Sequence, residues 1–216
     1  MKNRLFGLVM LLSVTIGYAQ TNLMNTMSEK TAMAPRVVPD SLVQSATDTT
    51  VALLDKAVTA QTAGDKAATA QALQASTNAL EAEAKASSGG FKDKLLGQAG
   101  SLKKLIPLAT SGMLGGGILQ KAVGLAKMAF AGNKIEQLMG GASLLSNVGG
   151  LTSNLGILKS ALPALGGGAA SSGGSLITGA LGGLSKLSGG GAAATVAEPA
   201  VRSQLNSVLS FVKGAI

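Results

Sequence analysis

Apolar side chains along this chain recur at helical rather than strand spacing. From residue 40, Leu42, Val43, Ala46, Val51, Leu54 and Val58 stand mostly three, four or seven positions apart, which gathers them on one face of a helix. Asp48, Asp55 and Lys56 fall on the polar face. Asp40 or Ser41 is available as the cap, because a short polar side chain there accepts from an unpaired backbone N–H of the first turn. The pattern breaks near Gly64 and restarts at Asp65, with Leu73, Leu80 and Ala84 on a narrow stripe and alanine over much of the remaining surface. Good helix formers dominate residues 40–88, which predicts an alanine-rich helical hairpin.

The step Ala63-Gly64-Asp65, followed by alanines, resembles the turn inside a tetratricopeptide repeat. Only one such unit can be drawn, its large aromatic packing positions have no match, and a solenoid needs about three units to bury a continuous core. The segment is therefore read as a generic hairpin.

Composition changes at Gly89. Three glycines (Gly7, Gly17, Gly64) precede it, leaving 27 of the 30 in residues 89–216. Placed inside helices, 27 glycines at roughly 0.5–1 kcal/mol each would cost about 13–27 kcal/mol, more than the typical net stability of a domain. Most are expected to punctuate helices or to sit at close contacts. Read as punctuation, they cut this half into brief helices over 92–111, 118–131, 134–147, 151–165 and 175–186. Pro107 and Pro163 bend or end two of these, and residues 166–174 form the expected loop. The chain closes on a cleaner signal, a helix over 198–213 that opens at Glu198-Pro199 and sets Val201, Leu205, Val208, Leu209 and Val212 on one face. Ordering such a helix costs about as much as its five apolar side chains return, so it orders when docked, on its own domain, a partner or a membrane surface. The fold class expected is mainly α, an alanine-rich hairpin followed by a glycine-interrupted cluster of short helices, with no sheet.

Gly112, Gly116, Gly124, Gly132 and Gly140 differ by multiples of four, and Gly179 and Gly183 add another pair. The row looks like a glycine zipper, in which small residues let helix backbones approach closely. Four residues turn a helix by about 400°, so the row drifts about 40° per step and cannot hold one face. What survives is local helix packing at Gly112/Gly116 and Gly179/Gly183, with helix breaks elsewhere.

The first residues add an export signal. Lys2 and Arg4 precede an uncharged run over residues 5–17, with small Gly17 and Ala19 ahead of Gln20. A run of 13 residues is too short to span a bilayer core, so residues 1–19 read as a cleaved secretory signal rather than an anchor. Residues 20–39, with two prolines and no apolar period, read as a flexible linker. The expected location is the periplasm, outer envelope or extracellular space. With no cysteine the chain offers no lipoprotein attachment site and no disulfide.

Chemistry is sparse. The chain has no His, Cys or Trp, and its one tyrosine, Tyr18, lies in the leader. Zinc sites, thiol nucleophiles and serine/histidine triads are thereby excluded. Ser-x-x-Lys occurs at Ser101/Lys104 and Ser210/Lys213, about as often as chance allows, without companion motifs. No phosphate loop, dinucleotide fingerprint or acidic calcium loop is present. Glu81 and Glu83 diverge on a helix, a poor acid/base dyad. The reading is no enzyme, no cofactor, no metal and no small-molecule substrate.

Charge is bipolar. Residues 21–90 carry five basic and seven acidic side chains, and residues 91–216 carry eleven and three. Lys103, Lys104, Lys121 and Lys127 form the candidate basic surface. Nucleic acid would call for stacking aromatics or arginine clusters, and Arg202 is the sole arginine beyond residue 90. The expected function is a structural or interaction protein that packs through small-residue helices against itself or a protein partner. The alternative is a membrane-active protein whose basic half binds or inserts into anionic bilayers as an oligomer. Residues 137–158 are uncharged, but 10 of the 22 are apolar, too dilute for a lone spanning helix.

Overall fold

The computed structural model describes residues 40–141 and 143–216. The expected signal and linker, residues 1–39, lie outside the described residues, as do the side chains of Asp40, Ser41, Leu42, Val43, Ala46 and Asp48. The rest forms α1 (Asp40–Thr62), α2 (Lys66–Ala86), α3 (Lys92–Ser111), α4 (Gly116–Met139), α5 (Val148–Ala161), α6 (Gly167–Ser188) and α7 (Gly191–Ala215). Single 3-10 turns, Leu145–Asn147 and Leu162–Ala164, bracket α5. The fold is mainly α, and no strand occurs among the described residues. None of these helices is long and apolar enough to cross a membrane.

The hairpin turn forms where the sequence breaks. Gly64 takes φ 75°, a left-handed conformation that glycine adopts without a Cβ penalty. Asp65 then caps α2, its carboxylate accepting from the Ala68 N–H at 2.8 Å. Leu73, Leu80 and Ala84 are buried, Leu54 is buried beside them, and Val51 and Val58 pack partly buried against the same cluster.

The composition step at Gly89 falls inside one compact unit. Leu95, Ala99, Leu102, Leu105 and Ala109 of α3 join Leu54, Leu73 and Leu80 in the first core, and α4 adds Leu119, Val123, Ala126, Ala129 and Phe130. The second core is built by α5, α6 and α7 around the other face of α4, through Met128, Ala131, Ile135, Leu138 and Met139. α4 is therefore the wall shared by both cores. A helix buried on two sides has no polar stripe to mark it, and from Met128 to Ile135 every residue is buried.

Several expected boundaries move. The segments 118–131 and 134–147 are one helix as far as Met139, and Gly124 and Gly132 are inside it rather than breaks. The physical reason is packing: a Cβ on Gly124 would stand 2.3 Å from the Ala164 Cβ, and one on Gly132 would stand 2.5 Å from the Phe91 ring. The loop expected over 166–174 is the start of α6, with the reversal confined to Gly166 and Gly167 at φ 72° and 48°. α7 begins at Gly191, seven residues before Glu198, so Pro199 lies within the helix instead of opening it. Pro107 is likewise inside α3. Pro163 does end a helix, in the turn that follows α5.

Candidate functional site

The four candidate packing glycines divide three ways. Gly112 is the left-handed end of α3, with φ 79° and its N–H returning to the Ala109 carbonyl. Gly183 is a close contact between α6 and α7, since a Cβ there would reach within 3.0 Å of a Val201 methyl. Gly116 and Gly179 face open space, with nothing within 4 Å of an added Cβ. Neither is a packing position among the described residues. The close approaches are instead at Gly124, Gly132 and Gly173, the last against Leu162 and Phe211. Nothing local in the sequence marks them: Gly132 lies in Ala-Phe-Ala-Gly-Asn-Lys-Ile, whereas Gly173 lies in Ser-Ser-Gly-Gly-Ser.

The candidate docking face of α7 docks at home. Val201, Leu205, Val208, Leu209 and Val212 are all buried in the second core. Of the candidate basic surface, Lys103, Lys104 and Lys121 are exposed. Lys127 is not part of it: its side chain is largely covered and its ammonium pairs with Asp55 of α1. Ser101 is exposed and donates to the Gly97 carbonyl at 3.0 Å, and Lys213, the other Ser-x-x-Lys cation, is held by Glu136 at 2.7 Å.

That last pair belongs to a polar network that sequence reading missed. Glu83 of α2 lies half-buried against α4, and its Oε1 accepts from Lys134 at 2.7 Å, from Asn133 Nδ2 at 2.8 Å and from Gln137 Nε2 at 3.0 Å. Lys134 is 4% exposed and sits 5.4 Å from the Phe130 ring centroid. Burying an ammonium costs several kcal/mol in practice unless a partner and hydrogen bonds compensate, and here one carboxylate oxygen gathers three donors. One turn on, the Lys213 ammonium sits 4.9 Å from the Phe91 ring centroid while holding Glu136. The Glu136 carboxylate lies on Gly89 and Gly90, where a Cβ would collide with Glu136 or Lys213. Its Oε2 is shielded and takes no hydrogen bond among the described residues. The network ties the α2–α3 connection to α4 and α7.

A second polar joint fixes the start of the turn before α5. Glu198 Oε1 accepts from the Leu144 N–H at 2.9 Å and from Arg202 Nη2 at 3.2 Å, and Arg202 Nη1 donates to the Met139 carbonyl at 2.7 Å. The Leu144 N–H above all, then the Arg202 guanidinium and the Ser143 hydroxyl, hold the Glu198 carboxyl below the ordinary carboxylate range against a smaller opposing effect of burial.

What faces outward is small. On α6, the residues Gly168, Ala169, Ser171, Ser172, Ser175, Thr178, Gly179, Gly182 and Ser185 are exposed, and the large exposed side chain of Lys186 follows them near the end of the helix. Compared with known proteins, the chain matches no family, no curated protein and no solved structure.

Proposed function

We propose that the protein is an exported, non-catalytic structural or interaction protein of the cell envelope or extracellular space, which associates with a second copy or a protein partner through the outward face of α6. The observation that carries this reading is that face itself. From Gly168 to Ser185 it runs about 26 Å without a side chain larger than threonine. Gly168, Gly179 and Gly182 each have nothing within 4 Å of an added Cβ, so nothing among the described residues requires glycine there. Gly179 and Gly182, in the helix interior, cost about 1–2 kcal/mol together relative to alanine, a cost that close approach of another helix backbone would offset. The charged groups that could have served chemistry, Glu83, Lys134, Glu136 and Lys213, are engaged in the ion pairs that hold the fold.

The test is the oligomeric state of the purified protein across concentration, with Gly179→Leu/Gly182→Leu as the variant. Association by the wild type and its loss in a variant of unchanged helical content supports the reading. A wild type that stays monomeric at high concentration and captures nothing from an envelope extract overturns it.

A further inference from the structure

The turn between α3 and α4 has a different character from the small-residue face of α6. It presents Met113 and Ile118 to solvent at 73% and 57% exposure, and the residues between them are Leu114 and three glycines. The turn is fixed rather than collapsed. The N–H groups of Met113 and Leu114 both donate to the Leu108 carbonyl, at 3.0 and 3.1 Å. Leu114 is buried, and its carbonyl accepts from Gln61 Nε2 at 2.7 Å. An anchored turn therefore holds two large apolar side chains away from the protein.

Cations flank them. The Lys66 ammonium lies 2.4 Å from where a Cβ on Gly112 would stand, and Lys121 is exposed one turn after Ile118. From residue 94 to 135 the chain carries six lysines and no acidic residue. The acidic groups near this end are Asp65, whose carboxylate caps α2, and Asp55, which shares a cleft with Lys121 and is paired with Lys127. Two side chains fall far short of the roughly 800 Å² per partner that a stable protein interface buries. Apolar side chains flanked by ammonium groups instead match an anionic bilayer surface, where the acyl boundary takes the former and lipid phosphates the latter.

We infer that the α3–α4 turn is a membrane-contacting tip, which inserts Met113 and Ile118 into the interface of an anionic bilayer with Lys66 and Lys121 on the lipid phosphates. This inference is independent of the α6 face and survives or fails apart from it.

The chain has no tryptophan, so Ile118→Trp places a single indole reporter at the tip, with Met113→Trp as a second position. Because the reporter is local, any binding by the apolar residues 5–17 does not by itself move it. Vesicles of equimolar phosphatidylcholine and phosphatidylglycerol are expected to shift its emission to the blue, raised salt to reverse the shift, and phosphatidylcholine alone to leave it in place. In co-sedimentation with the same anionic vesicles, Lys66→Gln or Lys121→Gln lowers partitioning about fivefold each. Met113→Ser/Ile118→Ser lowers it about a hundredfold when both side chains are fully withdrawn from water in the wild type. Absence of a blue shift at both positions overturns the inference, and so does a serine double variant that sediments like the wild type. A blue shift that grows with protein concentration in the absence of lipid assigns the tip to a second copy and overturns it as well.

Discussion

Replacing glycine by alanine ought to have opposite signs at two helix-interior positions of this protein. At Gly156, in the middle of α5, the residue is exposed and an added methyl meets nothing within 4 Å. Gly156→Ala therefore gains about 0.5–1 kcal/mol, because alanine loses less backbone freedom on entering the helix. At Gly132 the same methyl would stand 2.5 Å from two atoms of the Phe91 ring, about 1 Å inside ordinary carbon contact. Phe91 is fully buried, so its ring has no solvent to move into. Overpacking of this kind costs about 1–3 kcal/mol, and subtracting the same helix gain leaves a net effect between about zero and a loss of about 2.5 kcal/mol at Gly132. Urea unfolding followed by circular dichroism measures both variants, compared at the midpoint with an unchanged slope. A Gly132→Ala protein whose midpoint rises like that of Gly156→Ala would show that the ring and the glycine are not in contact, and the explanation of the uninterrupted α4 would fall with it.

Three further outcomes are expected. Glu83→Ala leaves the buried Lys134 ammonium without its carboxylate and costs about 3–5 kcal/mol, whereas Glu83→Leu/Lys134→Met removes both charges and costs clearly less; equal losses in urea titrations would contradict the ion-pair reading. Leu205→Ala, in the second core, costs about 2–5 kcal/mol, while Val196→Ala, at 81% exposure, stays within about 0.5 kcal/mol, and thermal melts that rank them the other way refute the docking of α7. The Glu198 carboxyl is held below its ordinary range in the folded state, so its contribution is fully present above the unfolded pKa and is lost as pH falls through the folded one. The stability gap between wild type and Glu198→Gln is therefore constant near neutrality and narrows on acidification through and below the usual carboxylate range; a gap that widens there would be evidence against it.

Where one face of a helix meets water, the sequence was readable. The hairpin turn at Gly64, the stripe Leu73, Leu80 and Ala84 and the apolar face of α7 follow from spacing, because each has a polar side to contrast with its buried one, while the bounds of α3 follow from the glycines that flank it. α4 has no such contrast. It is covered by α1 and α3 on one side and by α5 and α7 on the other, and its glycines look like punctuation until Phe91 and Ala164 are seen lying on them. Glycine type alone does not distinguish a break from a close approach, which is decided by what arrives from elsewhere in the chain. For the same reason the Glu83, Lys134 and Glu136, Lys213 pairs were invisible, with 51 and 77 positions between partners, and Pro199 looked like a helix start because the turns ahead of it consist of glycine, alanine, threonine and valine with little periodic signal.

A helix that serves as the inner wall of two cores also sets the order in which the molecule can assemble. Without residues 116–139, α1, α2 and α3 still meet one another, but their shared core stays open on the side that α4 covers, and so does the core of α5, α6 and α7. Half-built intermediates would expose apolar surface on either side, which favours one concerted transition. A protease cut within α4 should release both halves at once, whereas a nick between α6 and α7 leaves the first core closed.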